Sequence, residues 1–291
     1  MRFLVTGVKG QLGFDVVREL HSRGFNDVLE YDIDLMDITN ERQVEQAIVG
    51  NEVDVVIHCA AYTNVDEAEC NEQLARKVNI YGTRNIAQMT ELIGAKLIYI
   101  STDYVFDGTK PLFYLYNVDD KVNPKNIYGM TKYLGEEEVK YNPKHFIVRT
   151  SWLFGINGNN FVKDMLKISE SKDEIDVLSY QFGSPTYTVD LAKILVDMSL
   201  TEKYGTYHAN NSGFTNQAFF AEDIFEVNNI DIKVNHIKKN ESNSNVKNSC
   251  LSKVSLDKAG FKRLPDYKDA LVRYSIELKK QKENNKKLLL K

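Results

Sequence analysis

Short apolar runs alternate with longer amphipathic stretches along the first half of the chain. The runs are rich in Val, Ile and Leu and predict five strands, at 2–6, 28–31, 53–57, 96–100 and 145–149. Between them, apolar positions three or four residues apart predict helices at 11–23, 41–49, 68–93 and 128–139. Strands separated by helices are typical of βαβ crossovers, which place a parallel sheet between two helical layers. The pattern therefore predicts an α/β fold with a Rossmann-like, doubly wound parallel sheet.

The pattern loosens after about residue 151. A turn cluster at 157–160 precedes a helix, a second helix is predicted at 189–198, and a short strand at 205–209. We therefore expect a sheet-containing first domain over 1–155, to which about 176–208 return. A smaller mixed α/β domain is expected from 156–175 and 209–291.

A glycine-rich loop joins the first predicted strand to the first helix. It reads GVKGQLG, from Gly7 through Gly10 to Gly13. Gly7 suits a tight turn, Gly10 the close approach of a pyrophosphate, and Gly13 close packing of helix on strand. The helix N-terminus directs N–H groups and the positive end of its dipole toward phosphates. The loop therefore predicts that the first domain binds a dinucleotide, and we expect the smaller domain to bind the substrate.

Asp32 ends the second predicted strand, about 20 residues beyond the loop. Its carboxylate suits a ribose 2′-hydroxyl, which favours NADH, and it would repel the 2′-phosphate of NADPH. Lys9 offsets that repulsion, and Asp34 and Asp37 crowd the same region. The sequence therefore predicts NADPH or NADH and leaves open both the choice and the carboxylate that faces the ribose.

Tyr128 and Lys132 are four residues apart on a predicted helix, so they share one face. A phenol titrates at about pH 10 in water and needs a stabilised anion to transfer protons at neutral pH. A nearby ammonium lowers that pKa and also holds a ribose hydroxyl. Thr102 lies just beyond the fourth predicted strand, at the sheet edge where ligands bind. We therefore predict Thr102, Tyr128 and Lys132 as catalytic residues, with Thr102 polarising a substrate carbonyl.

Composition narrows the partners mainly by exclusion. The 291 residues contain 37 Lys and Arg against 41 Asp and Glu, so the positive excess needed by a nucleic-acid binder is missing. No window of about 18 apolar residues predicts a membrane span. The three cysteines, Cys59, Cys70 and Cys250, form neither a disulfide framework nor a zinc pattern. We expect a cytoplasmic protein with no nucleic-acid or membrane partner.

Longer strings of residues resemble one enzyme family. Residues 59–69 read CAAYTNVDEAE and residues 101–108 read STDYVFDG, with further matching strings at 78–85, 149–152 and 183–186. On these strings the chain is similar to the dTDP-4-dehydrorhamnose reductase family of the extended short-chain dehydrogenase/reductase superfamily. The resemblance implies NAD(P)H-dependent reduction of a nucleotide-sugar 4-ketone, with conversion of dTDP-4-dehydrorhamnose to dTDP-L-rhamnose as the leading expectation.

The resemblance also implies roles for residues of the chain. It implies pyrophosphate binding by Gly7, Gly10, Gln11, Leu12 and Gly13, adenine contact by Asp37 and Ile38, further cofactor contact by Ala60, Ala61 and Thr63, catalysis by Thr102, Tyr128 and Lys132, and a place beside the sugar nucleotide for Thr102, Asp103, Trp152, Asn160 and Phe161. Some relatives use Mg²⁺ at a dimer contact, for which Asp15 and Asp190 are the candidate ligands here. The resemblance thus leaves a homodimer open.

Two other functions stay open at this point. The superfamily also contains nucleotide-sugar epimerases and epimerase-reductases, and it contains a non-catalytic, NAD(P)-binding regulatory subunit. One departure leaves the exact nucleotide sugar open: the family's Arg-Pro before an Asn-Ser-x-Leu pattern is missing, and Lys247 precedes Asn248 instead. A lysine replaces the charge of an arginine but not its two-pronged phosphate recognition.

Overall fold

The computed structural model describes residues 1–238 and 248–289. Lys247, which precedes Asn248 where the family has Arg-Pro, therefore lies outside the described residues. The strands are β1 (Phe3–Thr6), β2 (Val28–Tyr31), β3 (Val55–His58), β4 (Lys96–Thr102), β5 (His145–Thr150), β6 (Leu153–Phe154), β7 (Glu174–Leu178), β8 (Phe182–Gly183), β9 (Thr186–Tyr187), β10 (Gly205–His208), β11 (Thr215–Asn216) and β12 (Lys233–Ile237). The α-helices are α1 (Gln11–Ser22), α2 (Glu41–Ile48), α3 (Val65–Cys70), α4 (Glu72–Arg76), α5 (Thr83–Leu92), α6 (Ile127–Val139), α7 (Phe161–Ile168), α8 (Thr188–Ser199), α9 (Gln217–Asn228), α10 (Val254–Ala259) and α11 (Tyr267–Leu289).

Six parallel strands form the central sheet, in the order β10–β5–β4–β3–β1–β2. Alternate side chains of β1 enter different hydrophobic clusters: Phe3 and Val5 pack with α1 and α8, whereas Leu4 packs with α2 and α5. The inner strands are therefore covered on both faces, which explains their nearly continuous apolar sequence. The predicted α/β class with a doubly wound parallel sheet is confirmed.

The stretch predicted to be helical over 68–93 is helical, but it is not one regular helix. This stretch is divided among α3, α4, a π-helical turn at Lys77–Gly82 and α5. α3 ends at Cys70, because the next residue, Asn71, has a φ of −131°, which is not helical. In the π-helical turn, the Asn79 side chain donates to the carbonyl of Tyr62 and accepts from its N–H, at 3.1 and 2.8 Å. Tertiary hydrogen bonds therefore interrupt a segment whose local pattern favours one helix.

A second, smaller hydrophobic cluster lies among α7, α9, α11 and the short strands of the C-terminal half. β7 pairs in parallel with β12, outside the central sheet. The boundary predicted at residue 176 cuts through β7, so the return to the sheet begins later, with α8 against α1 and β10 beside β5. The division into a cofactor domain and a substrate domain stays a prediction. Within the described residues, no helix is both long and apolar enough to cross a membrane.

Candidate active site

A cleft of about 820 Å³ opens at the carboxyl end of the parallel strands. Every residue predicted to bind the cofactor, perform catalysis or face the sugar nucleotide contributes to its lining. The glycine loop and the ends of β2 and β3 form one side, and residues from α6, α7 and the end of β5 form the other. The structure therefore brings the predicted residues together in one place.

The glycine loop is shaped by close backbone contacts. Gly7 has φ of +71°, and a Cβ on it would lie 2.8 Å from the Ala60 nitrogen. A Cβ on Gly13 would overlap the carbonyl of Gly7. Gly10, the residue before α1, has no side chain that could cap the helix, so the N–H groups of the first turn receive no hydrogen bond from a capping side chain. This arrangement fits the pyrophosphate of a dinucleotide.

The carboxylates near β2 differ in their surroundings. Asp32 accepts hydrogen bonds from the N–H groups of Lys9 and Ile33, both at 2.9 Å, so it holds the glycine loop to the end of β2. Asp34 forms an exposed ion pair with Lys9, at 2.8 Å. Asp32 and Asp37 line the cleft, whereas Asp34 does not. The two lining carboxylates are therefore the ones available to an adenosine ribose.

Tyr128 and Lys132 lie on successive turns of α6. The side chain of Asn126 caps this helix by accepting from the N–H of Gly129 at 2.7 Å. Thr102 is the last residue of β4, and its hydroxyl donates to Asp103 at 3.1 Å. A hydrogen bond between Thr102 and Tyr128 influences the pKa of the phenol. The cap thus fixes the first turn of α6, which carries Tyr128 against the end of β4.

The electrostatics of Tyr128 differ from the prediction. Burial raises the pKa of Tyr128 to about 12, the Thr102 hydrogen bond opposes this, and the charge of Asp103 adds to it. The Lys132 ammonium lies over the ring of Tyr99, with Nζ 4.0 Å from the ring centroid. Burial also lowers the pKa of Lys132 to about 7. The net shift of the Tyr128 pKa in the chain alone is therefore upward, because desolvation exceeds the contribution that lowers the pKa, and the influence of Lys132 on the phenol stays a prediction.

Asp103 is buried at the end of β4. One of its carboxylate oxygens, Oδ2, has no hydrogen-bond partner among the described residues. Burial raises its pKa to about 6, although hydrogen bonds from Ser249 and Thr102 oppose the rise. A buried acceptor without a partner inside a cleft suits a hydroxyl group of a ligand.

Trp152, Phe161 and Asn160 occupy the other end of the cleft, with different surroundings. Trp152 has φ of +48°, a conformation costly for a non-glycine residue, and its ring fills the space beside Gly183. Phe161 stacks on Phe220, with centroids 5.7 Å apart. The Asn160 amide caps α7 and donates to the Gly155 carbonyl at 2.9 Å. Two aromatic side chains are thus available to a ligand, whereas Asn160 is already engaged by the protein.

Sequence reasoning missed several lining residues. Tyr104 packs edge-on against Tyr128, with centroids 5.8 Å apart, and Gln217 and Phe220 enter the cleft from α9. Tyr104 lies within the STDYVFDG string, which was a usable signal. The segment of α9 carried no assigned element in the sequence analysis, so nothing pointed to Gln217 or Phe220.

The candidate metal ligands lie outside the cleft and form ion pairs with arginines. Asp15 forms an ion pair with Arg18 at 2.8 Å, and Asp190 forms one with Arg273 at 2.6 Å. Within 1–238 and 248–289, no three His, Cys, Asp or Glu side chains are grouped as metal ligands. The guanidinium groups already neutralise both carboxylates, so this pair does not fit the Mg²⁺ that the resemblance implies for some relatives.

The chain is similar to proteins of one family over nearly its whole length. The RmlD substrate binding domain family matches residues 1–280. The spore coat polysaccharide biosynthesis protein SpsK of Bacillus subtilis is 37% identical over 282 residues, which cover 95% of this chain and 97% of that protein. A crystal structure of dTDP-4-dehydrorhamnose reductase from Bacillus anthracis in complex with NADP has 42% identity and a TM-score of 0.90, over 95% of this chain and 98% of that one. A reductase structure from Clostridium acetobutylicum has 38% identity and a TM-score of 0.92, over 96% and 100%.

Proposed function

The chain belongs to the RmlD substrate binding domain family, and from this membership we propose that it reduces the 4-ketone of dTDP-4-dehydrorhamnose to give dTDP-L-rhamnose. Relatives named dTDP-4-dehydrorhamnose reductase support the substrate. The observation that carries the proposal is the meeting of Thr102, Tyr128 and Lys132 with the glycine loop in one cleft. A regulatory subunit that only binds a dinucleotide has no need of this catalytic set.

The cofactor in this proposal is NADPH or NADH. The NADP complex of the Bacillus anthracis relative supports NADPH. Gly7, Gly10 and Gly13 form the cradle for the pyrophosphate, and the uncapped first turn of α1 offers its N–H groups. Asp32 lies where the adenosine ribose is expected, and its two hydrogen bonds from main-chain N–H groups partly satisfy its charge.

Thr102, Tyr128 and Lys132 have separate roles in the proposed ketone reduction. A bound NAD(P)H supplies the hydride to the carbonyl carbon. Thr102 donates a hydrogen bond to the carbonyl oxygen, and Tyr128 donates the proton that converts the forming alkoxide to an alcohol. Because burial raises the pKa of Tyr128 to about 12, the phenol is protonated at neutral pH and ready to donate. The Lys132 ammonium then stabilises the phenolate and holds a ribose hydroxyl.

Replacement of Tyr128 by phenylalanine tests this assignment. Tyr128→Phe removes the proton donor and keeps the ring, so kcat is expected to fall by about 10²–10⁴ while the affinity for NADPH stays nearly unchanged. The measurement is NADPH consumption with dTDP-4-dehydro-6-deoxy-L-mannose, beside GDP- and UDP-linked ketosugars. Near-normal turnover of the variant would contradict the role of Tyr128.

The same assay on the wild-type chain separates the competing functions. A regulatory subunit would bind NADPH without oxidising it in the presence of any of these ketosugars. Turnover only with a GDP- or UDP-linked sugar would keep the reductase chemistry and overturn the dTDP-linked substrate.

A further inference from the structure

The ring and the hydroxyl of Tyr99 contact two different parts of Lys132, the side-chain ammonium and the main-chain carbonyl. Tyr99 lies in β4, fully buried, with its ring beneath the Lys132 ammonium at 4.0 Å from Nζ to the ring centroid. Its hydroxyl donates to the main-chain carbonyl of the same lysine at 3.2 Å. The ring therefore receives the ammonium, while the hydroxyl fixes the helix that carries it.

Lys132 is surrounded by buried groups and by one carboxylate that other residues already neutralise. The lysine is only 3% exposed and forms no ion pair within the part of the chain that the structure describes. The carboxylate of Glu136, whose charge acts on Lys132, lies one turn further along α6 and is bound by Arg149 at 2.7 Å. Ser101 also donates to Glu136, at 2.5 Å. Glu136 is thus already neutralised, although its charge still favours the protonated lysine.

The remaining titratable groups around Lys132 are neutral near pH 7. Burial lowers the pKa of His58 to about 3 and raises the pKa of the Cys59 thiol to about 12, and both residues lie at the end of β3. Tyr128 on α6 is protonated as well, because its pKa is raised to about 12. A buried ammonium in such surroundings gains from the electron-rich face of an aromatic ring, in addition to the effect of the Glu136 charge.

We propose that Tyr99 is a positioning residue for the reductase reaction: its ring face holds the Lys132 ammonium charged and in place beneath the cleft. The proposal rests on the proposed function, because the charged lysine matters there for the Tyr128 phenolate and the cofactor ribose. Burial disfavours the ammonium, and the ring opposes this loss. Without the ring, more of the lysine is neutral at a given pH.

Two substitutions separate the ring from the hydroxyl. Tyr99→Phe keeps the ring and removes the hydroxyl, whereas Tyr99→Leu removes both. The readout is the pH profile of kcat/KM for the ketosugar with NADPH. In the wild-type chain, kcat/KM is expected to fall on the alkaline side as Lys132 loses its proton, with an apparent pKa of about 7.

The expected result is a difference between the two variants. Tyr99→Leu moves the alkaline limb to lower pH by about one unit, and Tyr99→Phe leaves its position unchanged. A merely structural role for Tyr99 would lower activity at every pH without moving the limb. The proposal is overturned if the limb of Tyr99→Leu coincides with that of the wild type, or if Tyr99→Phe shifts it equally.

A third variant makes the test independent of how well Tyr99→Leu folds, and a second measurement makes it independent of the substrate. Tyr99→Met fills the space with a flexible apolar side chain and replaces Tyr99→Leu if that variant does not fold. NADPH affinity is measured by calorimetry across the same pH range with no sugar present. The alkaline loss of affinity is expected at lower pH in the ringless variant, and an unchanged pH dependence overturns the inference. Absence of ketosugar turnover in the wild type, by contrast, overturns only the proposed function.

Discussion

At the residue scale, Gly10 and Gly13 show that two glycines of one loop are needed for different reasons. A Cβ on Gly13 would overlap the carbonyl of Gly7, whereas a Cβ on Gly10 would lie 3.2 Å from the same oxygen. Gly10 also has φ of −80°, which any residue adopts. The structure thus assigns Gly13 to the packing of α1 on the backbone of the glycine loop. Gly10 stays the residue over which a pyrophosphate is predicted to pass.

The two alanine variants are expected to behave differently. Gly13→Ala forces the backbone of the loop apart, so it should lower the free energy of unfolding by about 1–3 kcal/mol and weaken NADPH binding. Gly10→Ala should lower Tm by less than Gly13→Ala does and should still weaken NADPH binding, because its Cβ meets the Gly7 oxygen at 3.2 Å, a longer distance than the overlap at Gly13, and stands in the path of the pyrophosphate. Thermal unfolding and calorimetric titration check both expectations. A Gly10→Ala protein that binds NADPH normally would contradict the predicted path of the pyrophosphate.

Single residues of the site were predictable where the chemistry demands one residue type. Gly7, Tyr128 and Lys132 stand at spacings that a phosphate loop and a tyrosine–lysine pair require. The protonation of Tyr128 was not predictable, because its pKa depends on how deeply the fold buries the phenol. The position of the Lys132 ammonium was not predictable either, because it lies on the ring of Tyr99, a residue of an apolar strand that the sequence alone marks only as core.

At the scale of elements, asparagine begins many of the helices. The side chains of Asn40, Asn64, Asn126, Asn160 and Asn216 each accept a hydrogen bond from an N–H in the first turn of the helix that follows. The α1 helix departs from this rule, since it begins at a glycine without a side-chain cap. A capped first turn is occupied, so the uncapped first turn of α1, which lines the cleft, is available to a phosphate.

The caps of α6 and α2 offer a matched pair of variants. Asn126→Ala and Asn40→Ala each remove one cap, so each should lower the free energy of unfolding by about 1 kcal/mol. Only α6 carries Tyr128 on its first turn, so only Asn126→Ala should also lower kcat, by about threefold to tenfold. Urea unfolding and steady-state kinetics are the two measurements. Equal kcat values for the two variants would show that the cap does not position the phenol.

Local pattern predicted the strands of the sheet and the helices α7 and α8 well, but it gave no element for β7, β12 or α9. The inner strands are buried on both faces and read as continuous apolar runs. β7 is a five-residue strand with only Ile175 and Val177 buried, and it pairs with β12, more than fifty residues later. A short, half-polar strand whose partner is so distant leaves little local signal.

At the scale of the whole molecule, ion pairs join the helices α1 and α8, which cover one face of the sheet, to the last helix. Arg18 of α1 contacts Asp15 of the same helix and Glu277 of α11, at 2.8 Å each. Arg273 of α11 contacts Asp190 of α8 at 2.6 Å. Asp15 and Asp190 are 2% and 4% exposed, so their charges would be costly without these partners. Guanidinium groups thus perform here the neutralisation for which a metal ion would otherwise be needed.

Removal of metal is therefore expected to have no effect. Treatment with EDTA should leave NADPH oxidation and the sedimentation coefficient unchanged, because Asp15 and Asp190 are neutralised within the chain. Arg273→Gln serves as the opposite control, since it leaves Asp190 without its guanidinium and should lower Tm. A loss of activity on chelation that added Mg²⁺ restores would contradict this expectation.

The position of Trp152 has a practical consequence. The chain contains one tryptophan, and its indole forms part of the cleft wall, where the nicotinamide and sugar of the proposed ligands are expected. Light absorbed selectively by indole is then emitted from the ligand site alone, with no background from elsewhere in the fold. Quenching of that emission, or energy transfer from it to a reduced nicotinamide, gives an unlabelled optical signal of occupancy in the native chain.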